Sequence, residues 1–403
     1  MLALVALVMI ATMGPWLAAS AATSAMQADL GLSVREAAWL TMMVQFGFVA
    51  GTLAIAVTGA ADAFSAPKLM TAGALIAAAG TAGLAVTGST LALMLLRFAA
   101  GVGLACIYPP GMKLAASWFR ERRGTALGVI VAALVAGKAF PFLLAALTSG
   151  WRAQLLLLAA LSAAGGVVAA LFAHEGPYTA TAARLDPRAI ASVISQRETR
   201  LATFGYLGHM WELYAMWTWF GVFAAASFAA SGTPGAARAG SIAAFIAIGA
   251  GAAGAIAAGH WADRYGRARI AAASLIVSGA CCLAAGFVFG APAWIVYTLA
   301  AIWGFAVVAD SAQFSALVTE HSPRAHVGTA LTLQTCAGFL LTTISMRWLP
   351  ALADSYGWQW AFLLLVPGPI AGIVAMRQVS AGEPALTRAD LSERNKLLPV
   401  RRD

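Results

Sequence analysis

Five side chains in this sequence are charged or ionisable although their neighbours are almost wholly apolar: Arg97, Lys138, His209, Glu212 and Asp310. In a bilayer such groups cost about 2.5–3.5 kcal/mol each on insertion scales, so they persist when paired or facing water. Arg97 opens the run Arg97-Phe98-Ala99-Ala100-Gly101-Val102-Gly103, and Lys138 lies in Gly137-Lys138-Ala139-Phe140-Pro141. At about 1.5 Å of rise per residue, the two cations reach similar depths in their helices. Two cations at one level point to an anionic ligand, or to a carboxylate partner from elsewhere in the chain. Gly137 leaves room beside Lys138, and Pro141 frees a backbone carbonyl one turn earlier. For Arg97 a second use stays open, a long side chain reaching to the outer surface.

The run Gly208-His209-Met210-Trp211-Glu212-Leu213-Tyr214 places His209 and Glu212 three residues apart, on one helical face, with Tyr214 pointing elsewhere. Glu212 lies ~18 Å from the inner end of its helix, near the bilayer centre. Low dielectric disfavours a carboxylate, which suits a reversible proton carrier. The alternative is a fixed ion pair with Arg97 or Lys138. Asp310, in Asp310-Ser311-Ala312-Gln313, lies nearer the inner surface. It is the second candidate for proton coupling, with a gate contact or a helix-terminus role as competing uses. Tyr214, Gln313, Gln334 and Trp16 join Arg97, Lys138 and His209 as candidate substrate-binding residues, and for Trp16 plain packing competes. Met210 and Met216 beside His209 raise the question of a metal. Adjacent residues on a helix face different sides, though, and no paired-Met motif occurs, so no metal site is expected. The four cysteines show no ligand spacing and read as small apolar fillers. No cofactor motif, nucleophile–base pair or metal cluster supports an enzyme.

The elements that must position these residues follow from composition. The chain has 403 residues, 61% hydrophobic and only 10% charged, against about 25% charged in soluble domains. The expected class is an all-α polytopic membrane protein, because the apolar runs are continuous and about 20 residues long. Twelve transmembrane helices are predicted, at 2–26, 36–60, 67–87, 90–113, 123–147, 151–173, 199–226, 239–260, 269–289, 292–316, 327–349 and 358–376. The first run lacks the positive flank of a cleaved signal and is too long for one, so a retained helix is expected. The net charge of +9 does not point to nucleic acid. Basic residues such as Lys68, Lys113, Arg120, Arg122, Arg184, Arg264, Arg267, Arg269, Arg324 and Arg388 fall on one set of alternate loops. The other set holds only Arg35, Arg152, Arg238 and Arg347. That asymmetry predicts both termini on the cytoplasmic side of a cell inner (plasma) membrane.

The halves repeat. Thr58–Lys68, with Asp62 in the acidic place, mirrors Gly259–Arg269; Gly124-Thr125-Ala126-Leu127 recurs as Gly328-Thr329-Ala330-Leu331; Gly150-Trp151 recurs as Gly357-Trp358. Two pseudo-symmetric six-helix bundles are expected, at 1–173 and 199–376. A cytoplasmic linker spans 174–198, with a surface helix at Pro187–Ser195, and a charged tail spans 377–403.

The stretch Gly259-His260-Trp261-Ala262-Asp263-Arg264-Tyr265-Gly266-Arg267-Ala268-Arg269 resembles the signature loop of the major facilitator superfamily of secondary transporters. Read as a turn, it uses Gly259 for close backbone approach and Gly266 for reversal. The resemblance implies a cytoplasmic gate built on Asp62, Gly259, Asp263, Arg264, Gly266 and Arg267. The Arg97–Gly103 run is similar to the family's R-x-x-x-G-x-G pattern, associated with proton transfer or substrate contact. The first-half loop departs from the pattern, with Thr58, Ala63, Ser65 and Ala66 where Gly, Arg, Gly and Arg are usual, which implies a weaker lock. Helix five lacks the Gly-Pro-x-x-Gly-Gly signature of drug–proton antiporters, and neither helix five nor helix eleven carries the nitrate-porter signature. The family's architecture then implies alternating access of two halves around a mid-membrane site. The expected function is proton-coupled transport of a small organic or inorganic anion by a monomer in the lipid bilayer. Efflux of drug-like compounds and a non-transporting sensor or assembly factor are the alternatives.

Overall fold

The computed structural model describes residues 1–119, 123–148, 150–178, 186–323 and 326–382. In chain order the long helices are α1 (Leu2–Leu30), α2 (Val34–Thr58), α3 (Ala66–Leu84), α4 (Thr90–Ala116), α5 (Thr125–Leu147), α6 (Trp151–Phe172), α7 (Arg197–Ala230), α8 (Ala236–Tyr265), α9 (Arg267–Val288), α10 (Ala293–His321), α11 (Val327–Tyr356) and α12 (Trp358–Ala381). Among the described residues, eleven of these are long and apolar enough to cross a membrane. The exception, α3, is 19 residues long and lies between α4 and α6. The expected surface helix is present as a 3-10 turn, Pro187–Ala189, continued by Ile190–Ser195. The final helical segment, Pro367–Gly382, extends into the first residues of the stretch read as a tail. Residues 383–403, with Arg388, and the loop residues Arg120, Arg122, Arg184 and Arg324 lie outside the described residues.

Local chemistry explains where helices start and break. Ser33 and Glu36 form a reciprocal capping box that opens α2. Pro15 cannot donate to the helix ladder, and α1 tightens into a 3-10 turn at Gly14–Trp16. Pro109 and Pro110 open the second segment of α4, Tyr108–Ala116. α10 is interrupted at Asp310. Gly259–Arg269 is helical on both sides of a single hinge: α8 continues through Tyr265, Gly266 takes φ 93°, and α9 begins at Arg267. The expected close approach at Gly259 does not occur, since a Cβ there would meet nothing within 4 Å.

α2 packs against α11, and α5 against α8. Within each group of neighbours, glycine allows backbones to touch. A Cβ on Gly101 of α4 would fall 2.2 Å from the Val44 carbonyl oxygen of α2. A Cβ on Gly304 of α10 would fall 1.7 Å from the Ala247 oxygen of α8. Helices that associate in lipid gain from such small contacts, because no apolar surface is removed from water. The close packing brings the polar side chains of α1, α4, α5, α7 and α10 into the interior.

Candidate functional site

Arg97 is wholly buried. Its Nε donates to the Leu40 carbonyl at 3.1 Å, Nη1 to Pro15 O at 2.6 Å and Nη2 to Trp16 O at 2.7 Å. The guanidinium fork therefore fastens α4 to α2 and to the break in α1, where helix geometry is interrupted. It does not reach outward along the helix. Charge-assisted bonds to three carbonyls replace the water that the cation lost.

The break in α1 presents Trp16, and Lys138 of α5 sets its ammonium 3.5 Å from the centroid of that ring. Lys138 Nζ also donates to Tyr214 Oη of α7 at 2.6 Å, and stands 5.5 Å from the Trp217 ring. The rings form a closed circuit back to Tyr214: Trp16 to Phe48 at 4.7 Å, Phe48 to Phe339 of α11 at 4.6 Å, and Phe339 to Tyr214 at 5.2 Å. No carboxylate is among the partners of Lys138 within the described residues. Arg97 and Lys138 thus both engage Trp16, one holding its backbone and the other its ring. Gln334 of α11 is buried, and both its amide atoms lack hydrogen-bond partners in the described residues.

The remaining ionisable groups separate, although the sequence places His209 and Glu212 on one helical face. Glu212 turns toward α9 and α10, where it accepts hydrogen bonds from Trp303 Nε1 at 2.6 Å, Ser278 Oγ at 2.9 Å and Cys282 Sγ at 3.4 Å. The alternative ion pair with Arg97 or Lys138 is not formed. Cys282 is more than a filler, since its thiol is one of the three donors. His209 turns to the break in α10: Nδ1 stands 2.8 Å from Asp310 Oδ1, and Nε2 stands 2.8 Å from Ser311 Oγ. An offset of three residues leaves about 60° between two side chains at 100° per residue, enough for two neighbouring helices to divide them.

At the turn between α8 and α9, Arg267 is the hub. Its Nε approaches Glu320 Oε1 at 2.7 Å, Nη1 donates to Gln313 Oε1 at 3.4 Å, and Nη2 is 3.9 Å from Asp263 Oδ1. Gln313, expected to bind substrate, is thereby joined to Arg267 of the α8–α9 turn. Arg264 lies over the ring of Tyr265. In the counterpart loop Asp62 pairs with Lys113 of α4 at 3.2 Å, and Lys113 also donates to Ala61 O at 2.8 Å. Two grooves, of about 590 and 470 Å³, are apolar and lie beside Trp211 and Trp261, and none of the five ionisable side chains lines either of them.

Phe48, Trp217, Ser278, Trp303 and Phe339 were not singled out by sequence reasoning, and Lys113 was read only as one of the basic loop residues. An aromatic or serine in an apolar helix carries no mark of which neighbour it will touch. The chain matches the family profile described as Major Facilitator Superfamily over residues 4–237 and again over 232–401. No curated protein matches it.

Proposed function

The chain belongs to the major facilitator superfamily of secondary transporters, and from that premise we propose that it carries a small organic or inorganic anion by alternating access, coupled to protons. The observation that carries the anion reading is Lys138: a buried ammonium at the contact between α5 and α7, held by a hydroxyl and π faces with no acid among its partners in the described residues. A charge left so in a membrane interior is stabilised when a ligand brings the opposite sign. In this reading twelve spans form two six-helix halves, 1–173 and 199–376. Segment 174–198 and both termini face the cytoplasm across the inner membrane. Lys138 lies in the first half and Tyr214 in the second, so the site is divided by the motion that exposes it to each side.

Two groups are suited to carry the proton. Glu212 is surrounded by neutral donors, which can serve a carboxylate and rearrange around a carboxylic acid. Asp310 and His209 share one short contact at the break in α10, and a proton added there changes the charge of a pair that closes that helix onto α7. Arg267, between Asp263, Glu320 and Gln313, would then sense the same segment of α10 from the cytoplasmic surface.

The test uses proteoliposomes holding a trapped pH dye. Addition of a panel of organic and inorganic anions that do not cross protein-free vesicles should move protons inward with the anion in wild-type vesicles. Lys138→Gln should abolish that movement. Anion-dependent proton flux that persists in Lys138→Gln, or flux driven by cations alone, would sink the reading.

A further inference from the structure

We propose that the ligand at Lys138 is a monoanion with a flat conjugated body, an arylcarboxylate, whose carboxylate is gathered by Lys138 and the indole N–H groups of Trp16 and Trp217. This inference rests on the anion reading above and narrows it to a substrate class. Charge counting comes first. The Arg97 nitrogens all donate to backbone carbonyls, so that cation is committed to the fold. His209 is held by Asp310 and Ser311. Lys138 remains, with one of its three N–H donors on Tyr214 and no acid partner in the described residues. A single uncompensated charge matches one carboxylate. The second carboxylate of a dianion would be desolvated without a partner, which disfavours it.

The indole nitrogens are the second, independent observation. Trp16 Nε1 and Trp217 Nε1 are buried, on residues 0% and 2% exposed, and neither has a hydrogen-bond partner in the described residues. Buried indole N–H groups ordinarily find an acceptor. Both rings lie close to the same ammonium, at 3.5 and 5.5 Å from centroid to Nζ. Two unused donors beside an uncompensated cation call for an acceptor carrying negative charge. A second cation would meet donors and a like charge, although the ring faces alone would suit one.

The walls determine the body of the ligand. Trp16, Phe48, Phe339, Tyr214 and Trp217 form one continuous set of rings, each within 5.5 Å of the next. Flat faces at these separations offer stacking and edge contacts to another ring. A small inorganic anion would use the ammonium and gain little from the rings, whereas a flat conjugated body can join their existing contacts.

The purified full chain, in lipid nanodiscs, is titrated calorimetrically with benzoate, acetate, terephthalate and benzyltrimethylammonium. Benzoate should bind at least roughly tenfold more tightly than acetate or terephthalate. Lys138→Gln should weaken benzoate by roughly tenfold or more, the scale of one charge-assisted hydrogen bond. Trp16→Phe and Trp217→Phe keep an aromatic ring and remove the N–H. Each should weaken benzoate severalfold while acetate changes in parallel and the thermal midpoint holds. Acetate binding as tightly as benzoate would overturn the aryl class and leave the anion reading intact. Tighter binding of benzyltrimethylammonium than of any carboxylate would overturn both. Benzoate affinity unchanged in both tryptophan variants, or absent in the wild type, would overturn the proposal alone.

Discussion

Replacing Arg97 tests whether it holds the fold or touches the ligand. The guanidinium makes three charge-assisted bonds of 2.6–3.1 Å to carbonyls on α1 and α2. At about 1.5–3 kcal/mol each, these amount to roughly 4.5–9 kcal/mol in isolation. Against that stands the desolvation of a buried cation, several kcal/mol. Arg97→Met loses the bonds but also recovers the desolvation cost, so a net loss of about 2–4 kcal/mol is expected. Arg97→Lys keeps the charge and the buried cost, while its single nitrogen cannot span three carbonyls placed around a fork. It should therefore be no more stable than Arg97→Met, a ranking contrary to the conservatism of the exchange. Thermal unfolding in detergent, followed by tryptophan fluorescence, reads the ranking directly, because Trp16 lies at the break that Arg97 secures. Arg97→Met with an unchanged midpoint, accompanied by lost anion affinity, would refute the backbone role and place the guanidinium on the ligand.

Three further outcomes are expected. Glu212→Gln should abolish accumulation driven by a pH gradient yet permit anion exchange across proteoliposome membranes, since the neutral amide can still accept from Trp303; accumulation that persists would move the coupling role to Asp310 and His209. Arg267→Met should slow transport with little effect on ligand affinity or midpoint, because its contacts to Glu320 and Asp263 are partly exposed and worth about 1 kcal/mol or less; an altered ligand affinity would show that the hub is part of the site. Gly304→Ala should lower the midpoint, at a cost of about 1–3 kcal/mol or more, because its Cβ would collide with the Ala247 carbonyl. Gly249→Ala in α8, where a Cβ meets nothing within 4 Å, serves as the control and should be neutral or slightly stabilising.

What the sequence determined by itself was the class of molecule and the residues that do not belong in lipid. Both are one-dimensional signals. Apolar runs of bilayer length and basic residues on alternate loops are written in order along the chain, and the cost of an isolated charge in hydrocarbon makes Arg97, Lys138, His209, Glu212 and Asp310 conspicuous. Gly266 as the hinge and Asp263 beside Arg267 were legible for the same reason, being local. Which of these groups would meet was decided only by tertiary structure. Arg97 and Lys138 looked like two cations for one anion, but the break at Pro15 placed two carbonyls within reach of the fork and took Arg97 out of the count. His209 and Glu212 share a face of α7, yet α10 claimed the first and α9 with Trp303 the second. Tyr214 crossed to Lys138 from a helix 76 positions away in the chain. Helical period gives the direction of a side chain about its own axis. It carries no information on the neighbour waiting there, because that depends on glycines such as Gly101 and Gly304 setting how near two helices can come.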